Sequence, residues 1–219
     1  MVIGGEVAPK QLRRDAVDNR ERVIQGAMVV IARDGFDAPV ASIAAEAGVG
    51  VGTFYRSFVD RDALMRELQL RAYDSLLHIL ETIESRGVTG LAAIESYLRE
   101  ALAISNRLFL PLHGVKPVLD DEAVTRRDKI NVELERFLAQ ARDAGLISSD
   151  VNATDVIICS ALITQAFQFG ADWMASASRH IQLFVAGLAA DADLSDPPVT
   201  RLQVEAALAS QGPGSRHGR

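Results

Sequence analysis

The stretch from Pro39 to Leu64 constrains the fold of this 219-residue chain more than any other. Apolar residues recur at the i, i+3, i+4 and i+7 positions of residues 40–47, which predicts a short amphipathic helix. Gly48 then favours the positive φ at which a helix ends. A second short helix is predicted from Val51 to Phe58, with two phenylalanines one turn apart on its inner face. Two short helices joined by a tight glycine-containing turn make a helix-turn-helix candidate.

The outer face of the second predicted helix is small and polar, which suits a DNA groove. Its residues either allow the backbone to approach closely or donate hydrogen bonds: Gly52, Thr53, Tyr55, Arg56 and Ser57. We expect Asp60 to cap the next helix and Arg61 to lie in its first turn. A cation there opposes the helix dipole, so binding of a phosphate would explain its presence.

This part of the sequence closely resembles the DNA-binding signature of the TetR family of transcriptional regulators (TetR/AcrR type). The resemblance extends over about residues 20 to 66 and is carried by Ile43-Ala44, by Ala47-Gly48-Val49-Gly50-Val51-Gly52-Thr53-Phe54-Tyr55-Arg56-Ser57-Phe58 and by Asp60-Arg61-Asp62-Ala63-Leu64. Ser57 stands where these proteins usually have His or Tyr, and Arg61 replaces the usual Lys. Both residues still donate to phosphate, although Ser57 has the shorter reach.

The resemblance implies an all-α protein with a three-helix helix-turn-helix DNA-binding head and a C-terminal helical ligand-binding and dimerisation domain. It also implies a homodimeric repressor that binds a double-stranded DNA operator and is released by a small-molecule effector, with activation as the alternative. The expected divisions are a flexible arm at 1–15, the DNA-binding domain at 16–62, the ligand and dimer domain at 63–192, and a flexible tail at 193–219.

Ten residues are predicted to contact DNA. Phosphate contacts are expected from Thr53, Tyr55, Ser57 and Arg61, and base-edge contacts from Val51, Gly52 and Arg56. Ser42 on the first helix of the motif completes the set there. In the arm, Arg13 and Arg14 can follow the phosphates or enter a minor groove. A solvated tail explains them equally well.

The net charge of −6 is unusual for a DNA-binding protein, but it is unevenly distributed. Through Arg61 the chain has eight basic and eight acidic residues, so the remainder carries all of the −6. Affinity for DNA must then come from locally clustered cations. The single cysteine, Cys159, excludes an internal disulfide. With neither an apolar run of membrane-spanning length nor a leader pattern, we expect a cytoplasmic protein without membrane contact.

Further helices are predicted at Asn19–Arg33, Arg61–Ser85, Leu91–Asn106, Asp120–Gly145, Asn152–Met174 and Ser178–Ala190. Asn152 and Asp155 have the spacing of a capping box. The last two helices are apolar nearly all round, which predicts burial on two sides and a dimer interface. The residues expected in that interface are Ile163, Phe167, Ile181, Phe184 and Leu188.

No enzyme site, metal site or cofactor motif is recognisable, since the four histidines are scattered and no phosphate-binding loop follows a strand. Asp120, Asp121 and Glu122 fit a solvated helix start better than a metal site. Polar and aromatic residues among apolar neighbours predict a ligand pocket formed by Tyr97, Asn106, Phe109, His113, Gln165, Phe169 and Trp173. These side chains could instead satisfy one another in the core or line the dimer interface.

Two other classes of protein are compatible with the sequence. One is an α-helical ligand-binding or enzymatic protein whose head is an interaction module. The other is a helical adaptor that binds no ligand. Binding to DNA separates the regulator from both.

Overall fold

The computed structural model describes residues 9–148, 150–165, 173–188 and 196–210. Within these ranges the structure is all-α, as the sequence predicts. The helices are α1 (Pro9–Asp34), α2 (Val40–Glu46), α3 (Val51–Ser57), α4 (Arg61–Ser85), α5 (Gly90–Ala103), α6 (Asp121–Asp143), α7 (Ala153–Thr164), α8 (Trp173–Gly187) and α9 (Arg201–Ser210), with single 3₁₀ turns at Ser105–Arg107 and Pro111–His113. The chain divides into two compact units, Met1–Leu68 and Gln69–Arg219.

The amino-terminal unit is built on the close crossing of α1 and α2. A Cβ atom added to Gly26 of α1 would lie 2.8 Å from the backbone nitrogen of Ala47, so only glycine allows this approach. Apolar side chains from all four helices of the unit are buried together: Val23, Ile24, Ile43, Phe54, Phe58, Leu64 and Leu68. The predicted bounds of α2 and α3 are confirmed to within one residue.

Helix α1 is longer than its apolar periodicity indicates. It begins at Pro9, ten residues before the predicted start at Asn19, so residues 9–15 of the expected arm are helical. Proline is favoured at a first helical position, and the Lys, Gln, Leu and Arg residues after it are good helix formers. Residues 1–8 lie outside the described part of the chain.

The second unit is centred on α5, which packs against α6, α7 and α8. Its core includes Ile94, Leu98, Leu134, Phe137 and Val156, all fully buried. The predicted capping box at the start of α7 is confirmed. The Thr154 N–H donates to Asn152 Oδ1 at 2.8 Å, and the Asn152 N–H donates to Asp155 Oδ2 at 2.9 Å.

Two predicted helix boundaries are wrong, namely the end of α7 and the start of α8. Helix α7 ends at Thr164 rather than near Met174, and α8 already begins at Trp173 rather than Ser178. Gln165 leaves the helix with ψ at 120°, and its side-chain amide donates to the Leu112 carbonyl at 3.3 Å. The periodicity of apolar residues in the sequence cannot predict that contact.

Helix α9 lies within the segment assigned to a flexible tail. A reciprocal cap at its start explains the helix: the Thr200 N–H donates to Gln203 Oε1 at 2.7 Å, and the Gln203 N–H donates to Thr200 Oγ1 at 3.3 Å. Leu208 is buried against the rest of the unit. The Thr-x-x-Gln spacing was therefore a missed helix signal.

Candidate nucleic-acid interface

A glycine turn fixes the direction in which α3 leaves α2. Gly48 has a φ of 63°, in the left-handed region that glycine adopts without steric cost. The Val49 N–H donates to the Ala44 carbonyl at 2.9 Å, and Arg22 Nη2 donates to the Gly48 carbonyl at 2.8 Å. These bonds hold α3 at a defined angle to α2.

The inner face of α3 is anchored by aromatic side chains. Phe54 and Phe58 are buried, with their ring centroids 6.1 Å apart. The Arg20 guanidinium lies 4.4 Å from the centroid of the Phe58 ring and donates to Glu67 at 3.0 Å. With this face fixed, the opposite face of α3 must point to solvent.

That outer face contains four exposed residues among those predicted to contact DNA: Val51, Gly52, Tyr55 and Arg56. The side chains of Val51 and Tyr55 are 44% and 52% exposed. Thr53 and Ser57 are half-buried and are used within the helix. Arg56 Nη2 donates to Thr53 Oγ1 at 2.8 Å, and Ser57 Oγ donates to the Thr53 carbonyl at 3.1 Å.

The remaining predicted contacts lie on α1, α2 and α4. Asp60 Oδ1 accepts from the Ala63 N–H at 2.7 Å, which confirms the expected cap of α4. Arg61 is half-buried in the first turn, and its Nε atom has no hydrogen-bond partner among the described residues. Ser42 is half-buried on α2 and Arg14 is exposed on α1, whereas the side chain of Arg13 lies outside the described part.

Arg33 of α1 is another cation of this unit, and it is bound by the carboxylates of Asp34 and Glu46. Arg33 donates to both carboxylate oxygens of Asp34, at 2.8 and 2.9 Å, and to Glu46 at 3.4 Å. The hydrogen bonds from Arg33 lower the pKa of Asp34, and those to Asp34 raise the pKa of Arg33. Arg33 is therefore a poorer candidate for a phosphate contact than Arg56.

The carboxy-terminal unit contains a cavity of about 90 Å³ between α4, α6, α7 and α9. Apolar side chains such as Leu76, Ile130, Ile157 and Leu208 form most of its wall. Polar groups are few, which is typical of a small-molecule site. They include Arg127, Asn131, Thr154, Ser160 and Glu205.

Of the seven predicted ligand residues, Tyr97 lines the cavity. Burial raises the pKa of Tyr97 to about 12, an effect that a hydrogen bond with Ser160 partly offsets. His113 instead bridges backbone, with Nδ1 2.7 Å from the Leu108 carbonyl and Nε2 3.2 Å from that of Ala161. Asn106, Phe109, Gln165 and Trp173 also lie outside the cavity wall, and Phe169 lies outside the described residues.

Sequence reasoning missed the charged residues of the cavity. Arg127 of α6 pairs with Glu205 of α9, 78 positions later in the chain. Neither residue breaks a helical pattern, so no local signal marks the pair. The capping box of α9 was the one available clue that Glu205 lies on a helix.

Three of the five residues predicted for a dimer interface pack inside the carboxy-terminal unit. Ile163, Ile181 and Leu188 are buried in the core of the carboxy-terminal unit, and Phe184 packs partly against it. Phe167 lies outside the described residues. The large apolar side chains that α7 and α8 expose are instead Leu162, Met174 and Leu183. A buried side chain cannot meet a second copy, so these exposed residues are better candidates.

Among the described residues, no group of three or more His, Cys, Asp or Glu side chains is arranged to hold a metal ion. In the same parts of the chain, none of the helices is both long and apolar enough to cross a membrane.

Comparison with known proteins gives a family match over the helix-turn-helix part of the chain. Residues 23–68 match the family described as "Bacterial regulatory proteins, tetR family". A TetR transcription regulatory protein from Mycobacterium vanbaalenii is 26% identical over 81% of this chain and 99% of its own, with a TM-score of 0.54. A TetR transcriptional regulator from Streptomyces coelicolor is 29% identical over 79% of this chain and 99% of its own, with a TM-score of 0.51.

The fold is also similar to that of the TetR family protein CprB from Streptomyces coelicolor A3(2). The identity is 16%, the coverage is 90% of this chain and 97% of that chain, and the TM-score is 0.63. At this identity the likeness concerns the fold alone. None of the curated proteins matches the chain significantly.

Proposed function

Because the chain belongs to the tetR family of bacterial regulatory proteins and has the fold of its DNA-binding regulators, we propose that it is a homodimeric repressor. In this role it binds a two-fold operator in the cytoplasm and is released by a small molecule. It has no catalytic step to perform. Its partners are double-stranded DNA, a second copy of itself and an effector.

The exposed face of α3 is the observation that supports DNA recognition most directly. A single α-helix fits the major groove of B-DNA, and the residues on its outer face read base edges. Val51, Gly52 and Arg56 are the proposed base readers on that face. Thr53, Tyr55, Ser57 and Arg61 are the proposed phosphate contacts, together with Ser42, Arg13 and Arg14.

In a dimer, a second copy of α3 can bind the second half-site of a two-fold operator. Two copies related by a two-fold axis would present α3 to half-sites about 34–36 Å apart, or a multiple of that spacing. The exposed apolar side chains of α7 and α8, Leu162 and Leu183 among them, support an interface on this side of the carboxy-terminal unit.

The cavity supports control by a small molecule. An effector changes DNA affinity only if it binds the DNA-competent and the released conformations with different affinity. Helix α4 contains both Arg61, a proposed phosphate contact, and Leu76, which lines the cavity. We therefore propose that α4 transmits the effect of ligand binding to the residues that contact DNA.

Retention of genomic DNA tests the proposal. Fragments of the source genome would be mixed with the protein at moderate salt, and the retained fragments sequenced. We expect a short two-fold motif among them, with preference relaxed at one position of each half-site in Arg56→Ala and the full motif unchanged in Arg86→Ala. Arg86 is a matched control because it pairs with Glu100 at 2.9 Å in the other unit. Retention of random sequence by both variants would contradict sequence-specific regulation.

A further inference from the structure

One side of the cavity is closed by an ion pair in which α9 supplies the anion. Arg127 Nε lies 2.7 Å from Glu205 Oε1, and Arg127 Nη2 lies 2.8 Å from Glu205 Oε2. The guanidinium therefore binds the carboxylate in a bidentate geometry. A third donor, Nη1, reaches the Val118 carbonyl at 2.9 Å. The Arg127 side chain is 12% exposed. The cation is therefore fixed and largely shielded from water.

A second donor lies beside this pair and is unused. The Tyr73 hydroxyl is buried and donates its proton to none of the described residues, and its ring centroid is 5.9 Å from the Arg127 guanidinium carbon. Burial raises the pKa of Tyr73, although the nearby Arg127 partly offsets this, so the hydroxyl keeps its proton at neutral pH. Arg127 and Tyr73 together form a donor set suited to a carboxylate at the edge of an apolar cavity.

Helix α9 is held weakly enough to be displaced. Its ten residues are too few for a stable isolated helix. Leu208 is its one buried apolar side chain, while Leu202 is 80% exposed. It is also attached through the Arg127–Glu205 pair, through a pair between Arg201 and Asp128, and through a hydrogen bond from Asn152 to the Val199 carbonyl just before the helix. Loss of one of these pairs removes much of what keeps α9 against the unit.

We propose that Glu205 occupies a ligand site, and that a small apolar carboxylic acid displaces it from Arg127 and frees α9. Exchange of one carboxylate for another leaves the guanidinium paired, so the burial of the ligand's hydrocarbon body supplies the net affinity. The ligand carboxylate also gains the Tyr73 hydroxyl. This inference rests on the proposed function, since it names the chemical class of the effector and the element that the effector moves.

Calorimetric titration without DNA tests the ligand class. The probes are straight-chain carboxylates of about four to eight carbons, with the primary alcohols of the same length as neutral counterparts. For the unaltered protein we expect binding of one acid at least tenfold tighter than that of its alcohol. Arg127→Gln should abolish this preference, and Arg127→Lys should retain part of it.

The decisive variant is Glu205→Gln. It removes the competing charge while keeping the shape of the side chain, so acid affinity should rise at least tenfold. A Glu205 that only supports the fold would leave the affinity unchanged or lower it. Glu100→Gln is the matched control, since it makes the same change in net charge at a surface ion pair on α5 and should have no effect.

Hydrogen exchange of the α9 amides follows the displacement. Saturating acid should speed exchange across residues 204–210, and the alcohol should not. Equal binding of acid and alcohol, unchanged affinity in Glu205→Gln, or unchanged exchange in α9 would each overturn the inference. The result is separate from DNA retention, because a chain that binds operator but prefers no acid refutes the ligand class alone.

Discussion

Arg56 and Arg61 are both proposed to bind DNA, but their surroundings assign them different tasks. Arg56 is exposed on the outer face of α3, while Arg61 is half-buried at the start of α4. We expect Arg61→Ala to weaken binding to all sequences alike and to reduce the slope of log affinity against log salt by about one unit. Arg56→Ala should instead relax preference at one position by roughly 1–3 kcal/mol. Selection of operators from random DNA distinguishes the two outcomes, and an unchanged motif in Arg56→Ala would remove its base-reading role.

Cys159 gives a prediction of pH dependence. Burial raises the pKa of its thiol from 9.0 to about 11. The reactive thiolate therefore becomes abundant only as the pH rises through about 11, and near pH 8 it is roughly 100-fold scarcer than in an exposed cysteine. We expect iodoacetamide to label Cys159 slowly in the folded protein and rapidly in urea, as measured by mass spectrometry. A labelling rate that levels off near pH 9 would contradict the shifted pKa.

At the scale of the element, two glycines in helices have opposite roles. A Cβ at Gly26 would collide with the backbone of Ala47, whereas a Cβ at Gly52 on α3 meets nothing within 4 Å. Gly26→Ala should force α1 away from α2 and destabilise the protein by about 1–3 kcal/mol. Gly52→Ala should raise stability by up to about 1 kcal/mol and still weaken DNA binding by holding the backbone away from the groove. Urea unfolding and DNA titration of both variants check this. If Gly26→Ala were as stable as the unaltered protein, α1 and α2 would be able to move apart at their crossing without cost.

The predictability of each element depended on how local its cause is. The turn at Gly48 and the caps at Asp60 and Asn152 act within three or four residues, and the sequence predicted all three. The end of α7 depends on a bond from Gln165 to Leu112, 53 positions away, and was missed. The cavity followed the same rule. Tyr97 was identified as a polar residue among apolar neighbours. The pairing of Arg127 with Glu205 could not be predicted, because the two residues meet only in the folded chain, 78 positions apart.

At the scale of the whole molecule, the proposed dimer can be tested on exposed residues. A charge at Leu188 would disrupt the subunit's own core, where it is buried, and so could not report on a dimer alone. Leu183 on α8 is 56% exposed, and Val132 on α6 is 59% exposed. We expect Leu183→Glu to shift the protein towards monomer in sedimentation at micromolar concentration, because it places an unpaired charge in an apolar interface. Val132→Glu should leave the dimer intact, and a dimer that survives Leu183→Glu would place the interface elsewhere.

Control by an effector requires that ligand and operator oppose each other to the same degree. If an effector in the cavity lowers operator affinity tenfold, the coupling free energy is about 1.4 kcal/mol, and operator DNA must lower effector affinity tenfold as well. Helix α4 can transmit this coupling because it contains both Arg61 and the cavity residue Leu76. Titration of one effector, with and without saturating operator, should therefore give affinities that differ by the factor found in the DNA titration. Leu76→Ala enlarges the cavity and leaves the DNA-binding residues unchanged. It should therefore change the coupling free energy between effector and operator more than it changes operator affinity in the absence of ligand. Equal effector affinity in both titrations would mean that the cavity does not control DNA binding, even if it holds a ligand.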